Sequence, residues 1–191
     1  MNTAVQKMDV SAAECPPVGM KQRQAPLRSR YMSEPQAAMI TDSARTLCHE
    51  VDLSHPVHGQ VVCGDGRPVT IDTGIHRAVG GYSDLPNPGE ILAAALAACL
   101  DGTIRIIANM MDVQLTHLAV SVDFKVDVRG TLMMDPAVPV GFQDAQICVE
   151  MAAGNVPDAV LDKLLKSAEH CCVVMQTLRN PPAINVNRTA A

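Results

Sequence analysis

The longest uninterrupted run of apolar residues in the chain, residues 91–100, predicts a helix in the protein interior. The run is apolar on all sides, which is typical of a helix covered all round. Its start is marked by a good N-cap, Asn87, by Pro88 at the first helical position, and by Glu90, which can complete a capping box. We therefore predict a central helix over residues 88–111, whose many alanines allow neighbouring backbones to approach closely.

Alternating apolar and polar positions predict the main strands. Along residues 115–129 the alternation has a period of two, so one face of this strand is expected to be buried and the other wet. A second strand follows at residues 146–151. Earlier in the chain, residues 59–63 and 68–72 are prone to form strands and flank the Asp-Gly of residues 64–66, which predicts a hairpin.

Two helices and a final strand are predicted for the C-terminal part of the chain. Residues 155–158 open a helix with an apolar stripe made of Val160, Leu161, Leu164, Leu165 and Ala168. The His-Cys-Cys of residues 170–172 marks its end or a break, and residues 173–178 form a short helix. The Asn-Pro-Pro of residues 180–182 stops that helix, and residues 183–187 are predicted as an edge strand.

The order of these elements predicts the fold class and the domain organisation. Strands and helices do not alternate strictly, so we expect an α+β fold with antiparallel pairing and helices on one side. Residues 1–42 carry four prolines among polar and small residues and are predicted as an N-terminal extension, partly irregular, with a short helix over residues 33–40. A further short strand is expected at residues 45–51, within a domain that spans residues 43–191.

Composition and charge exclude several classes of function. Of the 191 residues 48% are hydrophobic, so the chain can bury a sizeable core in one domain. Two Phe, two Tyr and no Trp argue against base-stacking platforms for single-stranded nucleic acid. The net charge is -5 and no Lys/Arg-rich run is present, so neither nucleic acid nor an anionic membrane is an expected partner. The sequence shows no signal peptide and no apolar run of membrane-spanning length, which predicts a cytoplasmic protein.

Seven cysteines of irregular spacing argue against both a disulfide framework and a C-x-x-C zinc site. The thiols are then buried filler or redox groups. Cys99 lies where the apolar band of the central helix ends, so it is either a core residue or a thiol beside a polar pocket. Cys171 and Cys172 either pack where two helices meet or, for Cys172, supply a thiol at a helix start, where unpaired N–H groups favour a thiolate. Structural or incidental roles are predicted for Cys15, Cys48, Cys63 and Cys148.

The histidines raise the question of a metal site. His49, His55 and His58 are close in sequence, but spacing fixes no third ligand, so incidental surface histidines are the favoured interpretation. A site formed by these three histidines and a cysteine is a weaker hypothesis. No cofactor and no metal are expected.

Two motifs resemble the OsmC/Ohr family (osmotically induced protein C and organic hydroperoxide resistance). Residues 86–99, PNPGEILAAALAAC, are similar to the family's N-P-x-E-L helix start and its A-A-x-x-A-C continuation. Residues 172–178, CVVMQTL, resemble its C-P-V-x-x-x-L segment, although Val173 replaces the proline. The resemblance covers roughly residues 44–187. It implies an intertwined homodimer in which antiparallel sheets pack around the long central helix.

The resemblance also implies a reaction. Cys99 matches the peroxidatic cysteine, whose thiolate attacks an organic or inorganic hydroperoxide and becomes a sulfenic acid. Cys172 matches the resolving cysteine, which condenses with it to a disulfide. A dithiol reductant, such as a lipoyl-type one, then restores both thiols.

The chain departs from the family pattern beside the first cysteine. Family peroxidases carry a glutamate ten residues earlier, where Gly89 stands here, and Glu90 beside it is the expected substitute as a catalytic residue. The thiolate-activating arginine is sought among Arg45, Arg67 and Arg77. A non-catalytic small-ligand-binding or redox-sensing module on the same fold is the alternative function.

Overall fold

The structure, a computed structural model, describes residues 19–47, 52–64 and 66–189. Its strands pair in antiparallel fashion in two sheets and its other regular elements are helices, so the α+β class is confirmed. In chain order the helices and strands are α1 (Met20–Ser33), β1 (Ala44–Thr46), β2 (Gly59–Cys63), β3 (Val69–Thr73), α2 (Pro88–Met110), β4 (Leu115–Lys125), α3 (Val128–Thr131), β5 (Asp144–Ala153), α4 (Asp158–Cys171) and α5 (Val173–Arg179).

Residues 1–39 form one unit and residues 40–191 another. In the first unit, the described residues form α1 and a 3₁₀ turn at Pro35–Ala38. Within the span of the predicted short helix, residues 33–40, a 3₁₀ helix of four residues forms, so the helix is shorter than predicted. α1 was not predicted, because it has no buried residues and no apolar stripe that periodicity could detect.

The first sheet of the second unit has the order β1-β2-β3. The predicted hairpin is confirmed, since β2 and β3 pair in antiparallel register with Val61 opposite Ile71. At the turn, Gly64 has a φ of +90°, a left-handed conformation that glycine adopts without a Cβ clash. Asp65 lies outside the described residues. β1 covers three residues, and residues 48–51 of the longer predicted strand lie outside the described part of the chain.

The second sheet consists of β4 and β5, with Val120 opposite Val149. The predicted alternation is confirmed: the apolar positions of both strands pack against the core and the polar positions are exposed. β4 ends at Lys125, four residues before the predicted end at position 129. The reason is local, since the Asp127 side chain accepts a hydrogen bond from the Arg129 N–H at 3.1 Å and caps α3.

The core lies between α2 and the last two helices. Leu96, Leu100, Ile104 and Ala108 form one buried stripe of α2 at a spacing of four residues. This stripe packs against Leu164 and Ala168 of α4, against Cys172 between the last two helices, and against Met175 of α5. The prediction of a helix buried on all sides is wrong for a single chain, because α4, α5 and β4 cover one side of α2 only. The opposite side leaves Ala94, Ala95 and Ala98 exposed.

α2 is also long and apolar enough to cross a membrane by length and composition, with a mean hydropathy of 1.9 over its best window. The sequence analysis expected no membrane-spanning segment because the uninterrupted apolar run ends before Asp101. The mean hydropathy of a longer window tolerates such single polar residues. The central helix of a soluble core meets the same criteria, and the buried stripe of α2 contacts protein.

The predicted edge strand over residues 183–187 is wrong. Within the described residues, this segment has no regular structure and joins neither sheet. Its apolar side chains Ile184 and Val186 are 83% and 89% exposed. A strand needs a neighbouring backbone edge to satisfy its N–H and C=O groups, and alternation in sequence does not supply one.

The buried stripe of α2 gives a test of the core. Ile104→Ala should lower the free energy of unfolding by roughly 2–5 kcal/mol, because truncating a buried isoleucine loses its packing and leaves a cavity. Ile104 is 0% exposed, whereas Ile184 near the end of the chain is 83% exposed. Ile184→Ala is therefore the matched control, with an expected loss below about 1 kcal/mol. Urea denaturation of both variants measures this, and equal losses would contradict the assignment of the core.

Candidate redox site

The N-terminal end of α2 is fixed by a capping box that positions the rest of the helix. The Asn87 side chain accepts hydrogen bonds from the N–H groups of Gly89 and Glu90 at 2.9 and 3.1 Å. In return, a Glu90 carboxylate oxygen accepts a hydrogen bond from the Asn87 N–H at 2.9 Å. The predicted helix start is confirmed, and α2 ends one residue before the predicted end.

Cys99 lies at the edge of the buried stripe of α2. It follows Leu96 by three residues and precedes Leu100 by one, so its thiol packs against the core while part of the residue stays accessible. Its carbonyl oxygen accepts a hydrogen bond from the Thr103 hydroxyl at 2.7 Å. Residue 99 is thus half-buried, at the boundary between the core and the side of α2 that this chain leaves uncovered.

Cys172 lies at the junction between α4 and α5 and is 0% exposed. Its backbone, with φ -72° and ψ 107°, is extended and interrupts the helical path. The junction is held by two backbone hydrogen bonds, from the Cys172 N–H to the Ala168 carbonyl at 2.8 Å and from the Gln176 N–H to the Cys172 carbonyl at 2.9 Å. The preceding residue, Cys171, is exposed.

The fold packs Cys99 against the buried cluster that contains Cys172, close enough for the two thiols to interact, although 73 positions separate them along the chain. Burial raises the pKa of the Cys172 thiol above its ordinary value. The N–H of Met175 lowers this pKa and the neighbouring Cys99 thiol raises it, so the net direction is upward. Cys172 is therefore held as a protonated thiol beside a more accessible one. Both cysteines are free thiols in the structure.

Glu90 lies away from this pair of thiols. It precedes Cys99 by nine residues on the same helix, which corresponds to about 13 Å along the axis and half a turn around it. Its carboxylate serves the capping box. Within the described residues, no hydrogen bond or ion pair joins Cys99 to an arginine. Arg105 pairs with Asp101 at 2.6 Å on the exposed side of α2, and the three arginines named from the sequence, Arg45, Arg67 and Arg77, are exposed.

Gly89 packs against an aromatic pair. A Cβ atom at this position would lie 2.9 Å from Cζ of Phe142 and 3.1 Å from Oδ1 of Asn87. Phe142 in turn stacks on Phe124 with ring centroids 4.8 Å apart. Both phenylalanines of the chain thus occupy the space beside the glycine that replaces the family's glutamate. No pattern in the sequence indicates this packing, because Phe142 lies in a loop 53 positions after Gly89.

Two of the three histidines of the metal-site hypothesis, His55 and His58, lie next to each other in a loop before β2. His58 pairs with Asp84 at 2.9 Å, a hydrogen bond that lowers the pKa of the Asp84 carboxyl, and the His55 ring stacks on His58 at 5.0 Å. Among the residues that the structure describes, no three His, Cys, Asp or Glu side chains are grouped so as to hold a metal. His49, the third histidine of the hypothesis, lies outside those residues, as do Cys15 and Cys48.

The remaining two cysteines are in the sheets. Cys63 is half-buried at the end of β2, and Cys148 is exposed on β5. The fold is thus α+β, with a thiol of its central helix packed near a buried thiol at the junction of two later helices. This arrangement is a candidate paired-cysteine site, and its two cysteines lie in the two motifs that resemble a known family.

Comparison with known proteins identifies that family. The model of the family described as OsmC-like protein matches residues 81–187, more than half of the chain. The chain therefore belongs to the OsmC-like family, and the resemblance inferred from the two motifs is confirmed. No curated protein sequence matches the chain significantly.

Solved structures show the same fold at low sequence identity. An organic hydroperoxide resistance protein OsmC from Legionella pneumophila is 20% identical, with a TM-score of 0.55 over 75% of this chain and 92% of its own. An OsmC-like protein from Mycoplasma pneumoniae is 12% identical, with a TM-score of 0.57 over 74% and 89%. An OsmC-like protein of unknown function from Vibrio cholerae is 14% identical, with a TM-score of 0.57 over 73% and 94%.

The two adjacent cysteines should differ sharply in reactivity. With iodoacetamide at pH 7.5, we expect Cys171 to be alkylated at least about tenfold faster than Cys172, because alkylation needs an accessible thiolate. Cys172 is buried, and its raised pKa means that its thiolate forms only at a pH above the ordinary range for cysteine. Tandem mass spectrometry of the tryptic peptide over residues 167–179 measures both sites. Equal rates would contradict the burial and the direction of the pKa shift.

Proposed function

We propose that this protein is a thiol-dependent peroxidase that reduces organic and inorganic hydroperoxides in the cytoplasm. The observation that carries the proposal is the contact between an accessible thiol at Cys99 and a buried thiol at Cys172. Membership of the OsmC-like family supports it. The Legionella pneumophila relative, which shares the fold, is described as an organic hydroperoxide resistance protein, which supports the class of substrate.

The different environments of the two thiols support different roles for them in this proposal. Cys99 is the nucleophile, because it is the accessible one of the pair. Its thiolate attacks the terminal oxygen of the hydroperoxide, the O–O bond breaks, and the alkoxide leaves as an alcohol after protonation. Cys99 is left as a sulfenic acid. The partly open position of Cys99 admits the peroxide while the apolar side chains beside it accommodate an alkyl group.

Cys172 then resolves the sulfenic acid. Its sulfur attacks the Cys99 sulfur, the S–O bond breaks, and the Cys172 proton leaves with the hydroxide as water. Because burial raises the pKa of the Cys172 thiol, this attack requires that the thiol give up its proton to the departing hydroxide. The product is a Cys99–Cys172 disulfide, which a dithiol reductant, such as a lipoyl-type one, reduces by thiol–disulfide exchange.

Glu90 takes a positioning role in this proposal. Its carboxylate accepts the hydrogen bond from the Asn87 N–H and so fixes the first turn of α2, on which Cys99 depends for its place. At about 13 Å along the helix from Cys99, it acts on the thiol of its own chain through the helix rather than by contact.

The proposed active form is an intertwined homodimer with the central helices of two chains in contact. The exposed alanines at positions 94, 95 and 98 support it, because they leave an apolar side of α2 uncovered in a single chain. Small side chains there allow two backbones to approach closely. In this proposal the OsmC-like domain spans residues 43–191, and residues 1–42 are an N-terminal extension.

The redox roles are tested with single cysteine variants. Cys99→Ser should abolish consumption of cumene hydroperoxide in the presence of a dithiol, because the attacking sulfur is lost. Cys172→Ser should consume a single equivalent and accumulate a sulfenic acid that dimedone traps. Cys63→Ser is the matched control, since Cys63 is also half-buried but lies in β2, and it should turn over like the wild type. Equal turnover by Cys99→Ser and the wild type would refute the proposal.

A non-catalytic ligand-binding or redox-sensing module is the second candidate, favoured by Gly89 in the place of the family's glutamate. Thiol titration separates the two functions. The peroxidase loses two thiols per chain on reaction with cumene hydroperoxide and regains them with dithiol. A binding module loses none, and a sensor loses them without multiple turnover.

The dimer is tested at its proposed helix contact. Light scattering should give a mass of twice the 20.3 kDa of one chain. Ala95→Glu should shift the protein to the monomer, because it places an unpaired charge on the apolar side of α2. Ala159→Glu, on the exposed surface of α4, is the control and should remain dimeric. A wild-type monomer, or a dimer that survives Ala95→Glu unchanged, would exclude this interface.

A further inference from the structure

The site holds a third thiol that the proposed reaction does not use. Cys171, Cys172 and Cys99 are respectively exposed, 0% exposed and half-buried. Cys171 is joined to Cys172 by one peptide bond, and Cys172 contacts Cys99. An exposed, a buried and a substrate-facing sulfur therefore follow one another from the surface of α4 to the reacting side of α2.

This order matters when the oxidised site must be reduced again. In a Cys99–Cys172 disulfide, the Cys172 sulfur is sealed from solvent. An external dithiol reaches only the Cys99 sulfur, and it must do so through the opening that serves the peroxide. Cys171 offers a second route for reduction, because it is exposed to solvent and directly precedes Cys172 in the chain.

Resting on the proposed function, we propose that Cys171 is an exchange thiol that carries the disulfide from the buried pair to the surface. The Cys171 thiolate attacks the Cys172 sulfur of the Cys99–Cys172 disulfide, the old S–S bond breaks, and Cys99 leaves as a thiolate that takes up a proton. The product is a disulfide between the neighbouring residues Cys171 and Cys172. Cys99 is then free for the next peroxide.

A dithiol reductant completes the exchange at the surface. One of its thiolates attacks the Cys171 sulfur and expels Cys172, which takes up a proton. The second thiolate of the reductant then attacks the first reductant sulfur, which is bound to Cys171 in the mixed disulfide, and expels Cys171 as a thiolate that takes up a proton. The balance is one dithiol oxidised to a cyclic disulfide and one protein disulfide reduced to two thiols.

The backbone at the junction suits such a carrier. Cys171 ends α4, and the extended conformation of Cys172 breaks the helical path before α5 begins. Adjacent Cα atoms are only about 3.8 Å apart, below the separation that most disulfides adopt, so a disulfide between neighbours is strained and readily reduced. In this proposal, the disulfide between Cys171 and Cys172 is therefore a transient intermediate of the exchange.

The surface around Cys171 is open to a reductant. The exposed side of α4 forms a shallow groove in which Cys171 lies beside His170 and Ser167. Lys166 and Lys163 line it roughly one and two turns earlier, and Asp162 lines it next to Lys163. Two ammonium groups and one carboxylate give it an excess of positive charge. A small dithiol that carries a carboxylate, such as dihydrolipoate, has the complementary charge.

The kinetic test separates oxidation from reduction. Each protein is oxidised with one equivalent of cumene hydroperoxide, freed of excess oxidant, and mixed with dihydrolipoate while free thiols are followed. Cys171→Ser should be re-reduced at least about tenfold more slowly than the wild type, because the exposed route is lost. Cys148→Ser removes another exposed cysteine, on β5, and should behave like the wild type. Equal rates for all three proteins would overturn the proposal.

A second measurement does not depend on peroxide chemistry. After oxidation with diamide and trypsin digestion, the buried pair links the peptide over residues 78–105 to the peptide over residues 167–179. The exchange product is instead the peptide over residues 167–179 alone, lighter by two hydrogen atoms. We expect both species in the wild type and only the second in Cys99→Ser. Free Cys171 and Cys172 in oxidised Cys99→Ser would reject the exchange thiol, whereas a peroxide-inert protein that forms both species would reject only the proposed function.

Discussion

The packing of one stripe of α2 against the junction of α4 and α5 is the interaction on which the rest of the structure depends. Four side chains of α2, spaced by one turn, bury themselves against the last two helices and β4. Cys172 is part of this core, and Cys99 lies at its margin. The candidate cysteine pair therefore depends on the core itself: the packing contact that buries the hydrophobic side chains also brings the two sulfurs together.

That origin explains why the two thiols differ. A sulfur inside the core loses its hydration, so its thiolate is disfavoured and its pKa rises. A sulfur at the margin keeps access to solvent. A single hydrophobic contact thus produces an asymmetric pair, in which one thiol is partly accessible and the other is buried and protonated.

The sequence predicted the features that arise from local chemistry. The capping box at Asn87, the hairpin between β2 and β3, and the alternation of β4 depend on neighbouring residues, and each is present. The predictions that failed depend on distant partners. Ile184 alternates like a strand residue but finds no backbone edge, and the exposed alanines of α2 cannot be buried by one chain alone. The two cysteine motifs predicted the candidate pair, whereas the burial of Cys172 relative to Cys171 follows from where α4 stops, which spacing alone does not define.

The packing of Phe142 over Gly89 couples these two positions. With Cζ of Phe142 only 2.9 Å from the place of a Cβ, any larger side chain at position 89 displaces the ring from its present place. The ring is 42% exposed and stacks on Phe124, so moving it breaks that stacking. Substitutions at 89 and 142 are therefore expected to be non-additive.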